Sequence, residues 1–153
     1  MKRVSFFTSS AIVLLFAVSF SSCKKAEKCD PFILIVGSDS GGCFGGKQEK
    51  IITSQKEWEN FIMPLPKSEI DRFRETEIDF YQYQIIAVID NVRPDTGWSM
   101  YVSCVTEYSS IIVVTVIIRR SCGKVHYVEI HPYYILKIPV TEKSIEFEFK
   151  YIM

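Results

Sequence analysis

The sequence predicts an α+β fold, made mainly of antiparallel strands, in which a curled sheet or sandwich-like β-domain packs against one amphipathic helix. Short runs rich in β-branched residues recur at 32–36, 85–89 and 111–118, as is typical of strands. A helix start is marked at Ser54. Residues 145–151 alternate apolar and charged side chains, which predicts a strand with one buried and one solvated face.

The first 22 residues have the order of an export signal. A basic head at Lys2 and Arg3 precedes an apolar core at 11–20, and two serines stand before Cys23. The alternative is an uncleaved transmembrane helix, which needs roughly 20 predominantly apolar residues. Serine and threonine residues dilute this stretch. We therefore expect residues 1–22 to be removed.

A cysteine directly after small residues resembles the lipobox of bacterial lipoproteins, in which the thiol carries diacylglycerol and becomes the new N terminus. Phe20 and Ser21 depart from the strictest lipobox, so the resemblance is to the relaxed form of some Gram-negative lineages. We expect lipid attachment at Cys23, with ordinary signal-peptide cleavage as the alternative. Several acyl chains on one residue anchor a protein stably. The expected location is the cell envelope, at the outer membrane.

The rest of the chain has the size of one domain. Removing residues 1–22 from the 153-residue chain leaves 131 residues, which we divide into a polar tether at 23–30 and a single β-rich domain at 31–153. Without Lys2 and Arg3, 16 basic residues face 18 acidic ones, a formal net charge of −2. Since no basic cluster with interleaved aromatics appears, we expect no nucleic-acid partner.

Four cysteines follow the tether's first residue, and an even number in an exported chain predicts disulfides. Four cysteines allow three pairings. Cys43 and Cys122 lie in loop contexts, GGCFGG and RSCGK, that permit the close approach of a bridge, so they are the preferred pair. Cys104 lies within an apolar strand, where a buried thiol is common. The pairing of Cys29 and of Cys104 stays open.

The strands can be placed by pattern. The three apolar runs are continuous, which predicts strands covered on both faces. Residues 100–106 and 111–118 flank EYSS and predict an antiparallel hairpin. Residues 125–138 predict one long strand or two, broken or bent at Pro132. The strand at 145–151 should lie near an edge, where its charges discourage unwanted pairing.

One helix is predicted over about 54–63. Ser54 and Glu57 form an S-x-x-E capping box, which satisfies backbone amides at a helix start. Two prolines after residue 63 end the helix, and its apolar face is made of Trp58, Phe61 and Ile62. A second, shorter helix or turn is predicted within 68–77.

Two stretches resemble catalytic motifs without their full pattern. The DSGG sequence at 39–42 resembles the nucleophile region of chymotrypsin-like proteases, but His126 and His131 follow it, whereas that family's histidine precedes it. We expect a flexible turn. The spacing from Gly41 to Lys47 resembles a phosphate-binding loop, but Gln48 replaces the required Ser or Thr and a strand, not a helix, should follow.

The two histidines do not predict a metal site. His126 and His131 have opposite parity, so on one strand they face opposite ways. Glu129 shares a face with His131, and we interpret these two as a surface ion pair. Because no convergent set of groups can be assembled, we expect no catalytic residues, no metal and no cofactor.

Several motifs in order along 51–148 carry a family resemblance. They include TSQKEWENF at 53–61, EIDF at 77–80 before the IIAVI run, RPDTGWSMYV at 93–102 and HPYYILKIP at 131–139. This order resembles the PrcB-type protease-complex-subunit domain found on bacterial lipoproteins. Trp98 stands where that family commonly has Tyr, His131 replaces its usual Gln, and Asp95 and Thr96 replace its turn residues.

The resemblance implies a non-catalytic accessory lipoprotein that associates with an envelope protein, a secreted protease complex being the family's example. It assigns no catalytic residues. The runner-up interpretation is a protease inhibitor or a small-ligand-binding lipoprotein, in which the 93–98 turn plugs or lines a site.

A partner surface is predicted at that turn, since Trp and Arg are enriched at interface hot spots. Phe44 would join it if a Cys43–Cys122 bridge brought the Gly-rich loop close. The predicted partner-binding set is Phe44, Arg93, Trp98 and Tyr101. The alternative is that Trp98 and Tyr101 only cap the core.

Overall fold

The computed structural model describes residues 28–39 and 44–153. The predicted signal, the lipid site Cys23, most of the tether and Cys43 lie outside these residues. No helix in the described part of the chain is long and apolar enough to cross a bilayer. The elements, in chain order, are β1 Ile33–Ser38, β2 Gln48–Ile52, α1 Gln55–Ile62, α2 Lys67–Ile70, β3 Tyr83–Ile89, β4 Trp98–Glu107, β5 Ile111–Arg120, β6 Tyr133–Pro139 and β7 Ser144–Ile152.

The strands form two sheets that pack face to face. A four-stranded central sheet has the order β1-β6-β3-β2, and a three-stranded sheet has the order β4-β5-β7. All pairs are antiparallel except β5–β7, which is parallel. The predicted mainly antiparallel, sandwich-like architecture is confirmed. The parallel pair arises because β6 lies in the other sheet and returns the chain between β5 and β7.

The central sheet is covered on both faces. One face packs against α1 and the loops around it, with Ile85, Ala87 and Ile89 pointing that way. On the other face, Ile86 and Val88 meet the three-stranded sheet. The continuous IIAVI run in β3 therefore has the two-sided burial that its sequence predicts.

Helix α1 is placed by its cap and its aromatic face. The Ser54 hydroxyl accepts from the Glu57 amide at 3.4 Å, and the Glu57 carboxylate accepts from the Thr53 amide at 3.0 Å. The bond from the Thr53 amide lowers the pKa of the Glu57 carboxyl, and the capping box is confirmed. Trp58 is fully buried and donates from Nε1 to the Thr76 carbonyl at 2.8 Å.

Residues 125–132 differ from the prediction, because they are irregular and not a strand. One of their links to the fold is a two-way backbone pairing between Arg93 and Ile130, and β6 begins directly after Pro132. No ion pair joins Glu129 to His131 in this described segment. That predicted pair is wrong, because the prediction assumed a strand and the segment is irregular.

Strand β7 lies at an edge of the three-stranded sheet, as its alternating pattern predicts. Ile145, Phe147 and Phe149 pack against the core between the sheets. The charged residues between them are exposed. We call the face of the three-stranded sheet that carries these charges its solvent face.

Candidate functional site

Arg93 is held rigidly beside the end of β3. Its Nε donates to Asp90 Oδ2 at 2.7 Å and its Nη2 to Asp90 Oδ1 at 3.0 Å. Asp90 is buried, so this two-pronged bond fixes the plane of the guanidinium. The backbone of Arg93 is fixed as well, by its pairing with Ile130.

The turn that follows is closed by a buried carboxylate. Asp95 Oδ1 accepts from the Gly97 amide at 2.9 Å, and Arg120 Nη2 donates to Asp95 Oδ2 at 3.4 Å. Position 97 admits only glycine at this spacing, since an added Cβ would stand 2.6 Å from Val125 Cγ1. The sequence Asp-Thr-Gly thus forms a compact turn with its carboxylate directed toward Arg120.

The Trp98 ring contacts the guanidinium groups of both Arg93 and Arg120. The Arg93 guanidinium carbon is 4.4 Å from the ring centroid, and that of Arg120 is 5.1 Å away. Both distances are in the range of cation–π attraction. The ring is half-buried and also packs on the core between the sheets, while its Nε1 is buried without an acceptor in the described part of the protein. We call Asp90, Arg93, Asp95, Trp98 and Arg120 the Arg–Trp cluster.

The irregular segment after β5 packs on this cluster. The Thr96 amide donates to the His126 carbonyl at 3.0 Å, and the His126 amide donates to Thr96 Oγ1 at 3.0 Å. This packing leaves two large apolar side chains in solvent, Tyr127 at 88% exposed and Val128 at 60%. The Arg120 side chain, at the end of β5, is 48% exposed.

The predicted four-residue partner surface does not assemble. Arg93 and Trp98 meet as expected, but Phe44 is buried in the core on the helix side, where it stacks on Phe61 at 5.1 Å and contacts Tyr133 edge-on. Its place in that surface is wrong, because the apolar ring fills a gap beside α1. Tyr101 is partly exposed on the solvent face, whereas Trp98 points inward with Met100.

Arg120 was missed at the sequence level because of a β-bulge. The hairpin ladder shifts register between Val102 and Cys104, which places Trp98 opposite Arg120. An unbroken ladder from the EYSS turn would put Ser121 there. The only available signal was the Arg-Arg pair at the end of β5.

The opposite end of β4 is where the chain enters the fold. Cys29 forms a disulfide with Cys104, which answers the open question of how these two cysteines pair. The Asp30 amide donates to the Val105 carbonyl at 2.7 Å, and the Asp30 carboxylate accepts from the Glu107 amide at 2.7 Å. Trp98 and Cys104 are six residues apart on one strand, a separation of about 20 Å.

The other predicted cysteine pair stays a prediction. Cys122 is exposed and has no disulfide partner among the described residues. Its predicted partner, Cys43, lies outside them.

Of the two motif-like stretches, the structure describes only Asp39 and residues 44–47. Asp39 accepts from the Met100 amide at 3.0 Å, and burial raises the pKa of Asp39. Gly46 has a positive φ of 42°. β2 begins two positions later, at Gln48, so the strand predicted after the Gly-rich loop is confirmed. In the part of the chain that the structure describes, no three His, Cys, Asp or Glu side chains converge as a metal site.

No protein-family model, no curated protein and no solved structure matches this chain. The resemblance to the PrcB-type domain therefore stays a prediction.

Proposed function

We propose that this chain is a lipid-anchored module of the cell envelope that binds a partner protein through the Arg–Trp cluster and the segment packed on it, without catalysis of its own. The observation that supports this is the arrangement along β4. The chain enters the fold at a disulfide-fixed end, and the cluster lies about 20 Å away at the other end.

The anchoring half of the proposal rests on the sequence before Cys29. Cys29 lies six positions after Cys23, so an acylated Cys23 lies within roughly 20 Å of the bridge. The disulfide and the Asp30 bonds keep this short tether attached to one strand end. Partner contacts at the far end then remain clear of the anchoring point.

The partner-binding half rests on chemistry at the cluster. Buried Asp90 and Asp95 orient two guanidinium groups on one indole ring, and exposed Tyr127 adds a rigid aromatic contact. Arg, Trp and Tyr are the residue types that dominate interface energies. Exposed Arg120 favours an acidic partner surface. The PrcB-type resemblance makes an envelope protease complex the first partner to test.

Affinity capture of the lipidated chain from envelopes tests the binding half. We expect Tyr127→Ala and Arg120→Ala to reduce recovery of the specific partner at least tenfold, roughly the effect of losing one hot-spot residue. Tyr81→Ala is the matched control, since Tyr81 is 98% exposed and outside the cluster. Equal recovery with all three variants, at unchanged melting temperature, would contradict the proposed surface.

Mass spectrometry of the protein from cells tests the anchoring half. The expected product begins at Cys23 and carries acyl groups. A retained leader, or a mature N terminus without lipid, would contradict it.

A further inference from the structure

The outer edge of β7 is an open pairing surface. β7 spans nine residues and pairs with β5 alone among the described strands, so the backbone groups on its other side face away from the sheet. The opposite edge strand, β4, is partly covered by Asp30 and Asp39. The last apolar side chains of β7 are open to solvent, with Tyr151 at 58% and Ile152 at 46% exposed.

The sequence of β7 is complementary to itself about Phe149. In an antiparallel pair, opposite residues share a face. When Phe149 lies opposite its own copy, Glu148 faces Lys150 of the second copy and Lys150 faces the second copy's Glu148. On the other face, Phe147 and Tyr151 meet twice as aromatic pairs. Two opposite-charge pairs and three aromatic pairs therefore form together.

Other registers lose this match. Centring the pair on Glu148 also forms two Glu146–Lys150 pairs, but it places the two Glu148 carboxylates opposite each other. Centring it on Phe147 sets Glu146 against Glu148 twice. Like charges directly opposite are destabilising. A slip by one residue would exchange the buried and solvated faces. The charges on β7 discourage pairing with foreign strands, yet in the register centred on Phe149 they form two opposite-charge pairs and no like-charge contact.

We propose that two copies of this chain join along β7, antiparallel and centred on Phe149, so that their three-stranded sheets become one six-stranded sheet. On the core side of the junction, the Lys47 ammonium of each copy lies 3.6 Å from the centroid of the Phe149 ring. This inference is independent of the lipid anchor and of the Arg–Trp cluster.

Sedimentation velocity of the full chain in mild detergent tests the proposal. The wild type is expected to dimerise with increasing concentration. Glu148→Lys and Lys150→Glu each turn two attractive pairs into repulsive ones, so each weakens dimerisation at least tenfold. The double variant restores it. A mixture of the two single variants forms heterodimers, because the repelling sets become complementary.

The control is Lys56→Glu, the same charge change at an exposed position of α1, which leaves dimerisation unchanged. A monomeric wild type, whether or not another protein occupies β7, overturns the proposal. Single variants that dimerise like the wild type, or a mixture that stays monomeric, overturn it as well. If a charge reversal fails to fold, Lys150→Met takes its place, and an unweakened dimer then overturns the proposal.

Discussion

The Cys29–Cys104 bridge should be a major source of stability, and Cys29→Ser measures it. The bridged residues are 75 positions apart, for which the loop-entropy relation gives a loss of about 4.5 kcal/mol at 25 °C. Measured losses run lower, typically about 2–4 kcal/mol. Cys29 is exposed, so serine there leaves no cavity, and the freed Cys104 thiol keeps its contact with the Thr106 hydroxyl at 3.3 Å. We expect the free energy of unfolding to fall by about 3 kcal/mol.

Urea unfolding without reductant, followed by tryptophan fluorescence, measures this change. Reduced wild type should match Cys29→Ser. The control is Cys122→Ser, which removes an exposed thiol without a disulfide partner in the described residues and should alter stability by less than about 0.5 kcal/mol. A loss below about 1 kcal/mol in Cys29→Ser would refute the reasoning. A large loss in Cys122→Ser would instead favour its pairing with Cys43.

Three further changes test the core, the turn and a titrating group. Trp58→Ala empties a fully buried site and breaks the bond to Thr76, so urea unfolding should show a loss of about 3–5 kcal/mol. Gly97→Ala forces a Cβ to 2.6 Å from Val125 and should cost about 1–3 kcal/mol, partly recovered by adding Val125→Ala. Burial raises the pKa of Asp39, so the folded carboxyl holds its proton more tightly than the unfolded one and stability falls as pH rises above 3.8. Unfolding measured across pH should show Asp39→Asn gaining stability relative to wild type over that rise, and a constant difference would contradict this.

Local signals were sufficient where neighbouring residues decide the structure. The Ser54 cap and the α1 face depend on residues within one or two helical turns, and both are confirmed. The EYSS hairpin joins strands that are adjacent in sequence, and β4 pairs with β5 as expected. In β3, uninterrupted apolar character was enough to predict burial on both faces.

Contacts between distant segments could not be predicted in the same way. Burial of Phe44 depends on Phe61 and Tyr133, which its own Gly-rich surroundings do not indicate. The bulge at Ser103 sets the register of Trp98 with Arg120, yet nothing in the local pattern marks it. The parallel placement of β7 follows from β6 joining the other sheet, a choice between long-range partners.

The two proposals together restrict how the protein sits at a membrane. A two-fold axis between antiparallel strands reverses strand direction but keeps the faces of the sheet. Cys104 lies opposite Thr115, whose hydroxyl donates to Glu148 on the solvent face. In the dimer, both tethers therefore start on the solvent face, at opposite ends of the six-stranded sheet. Because each tether spans roughly 20 Å at most, both lipids reach one bilayer only with that face toward it.

A monomer, held by one tether, has no such restriction on its orientation. The lipid-anchored Glu148→Lys variant, which is expected to be monomeric, therefore serves as the comparison for the wild-type dimer. A fluorophore at residue 101, on the solvent face, should be quenched by lipid-borne quencher in wild-type dimers on vesicles and much less in the variant. A fluorophore at residue 56, on α1 and on the far side of the central sheet, should be quenched in neither. Equal quenching at residue 101 in both proteins would mean that dimerisation along β7 does not set the orientation.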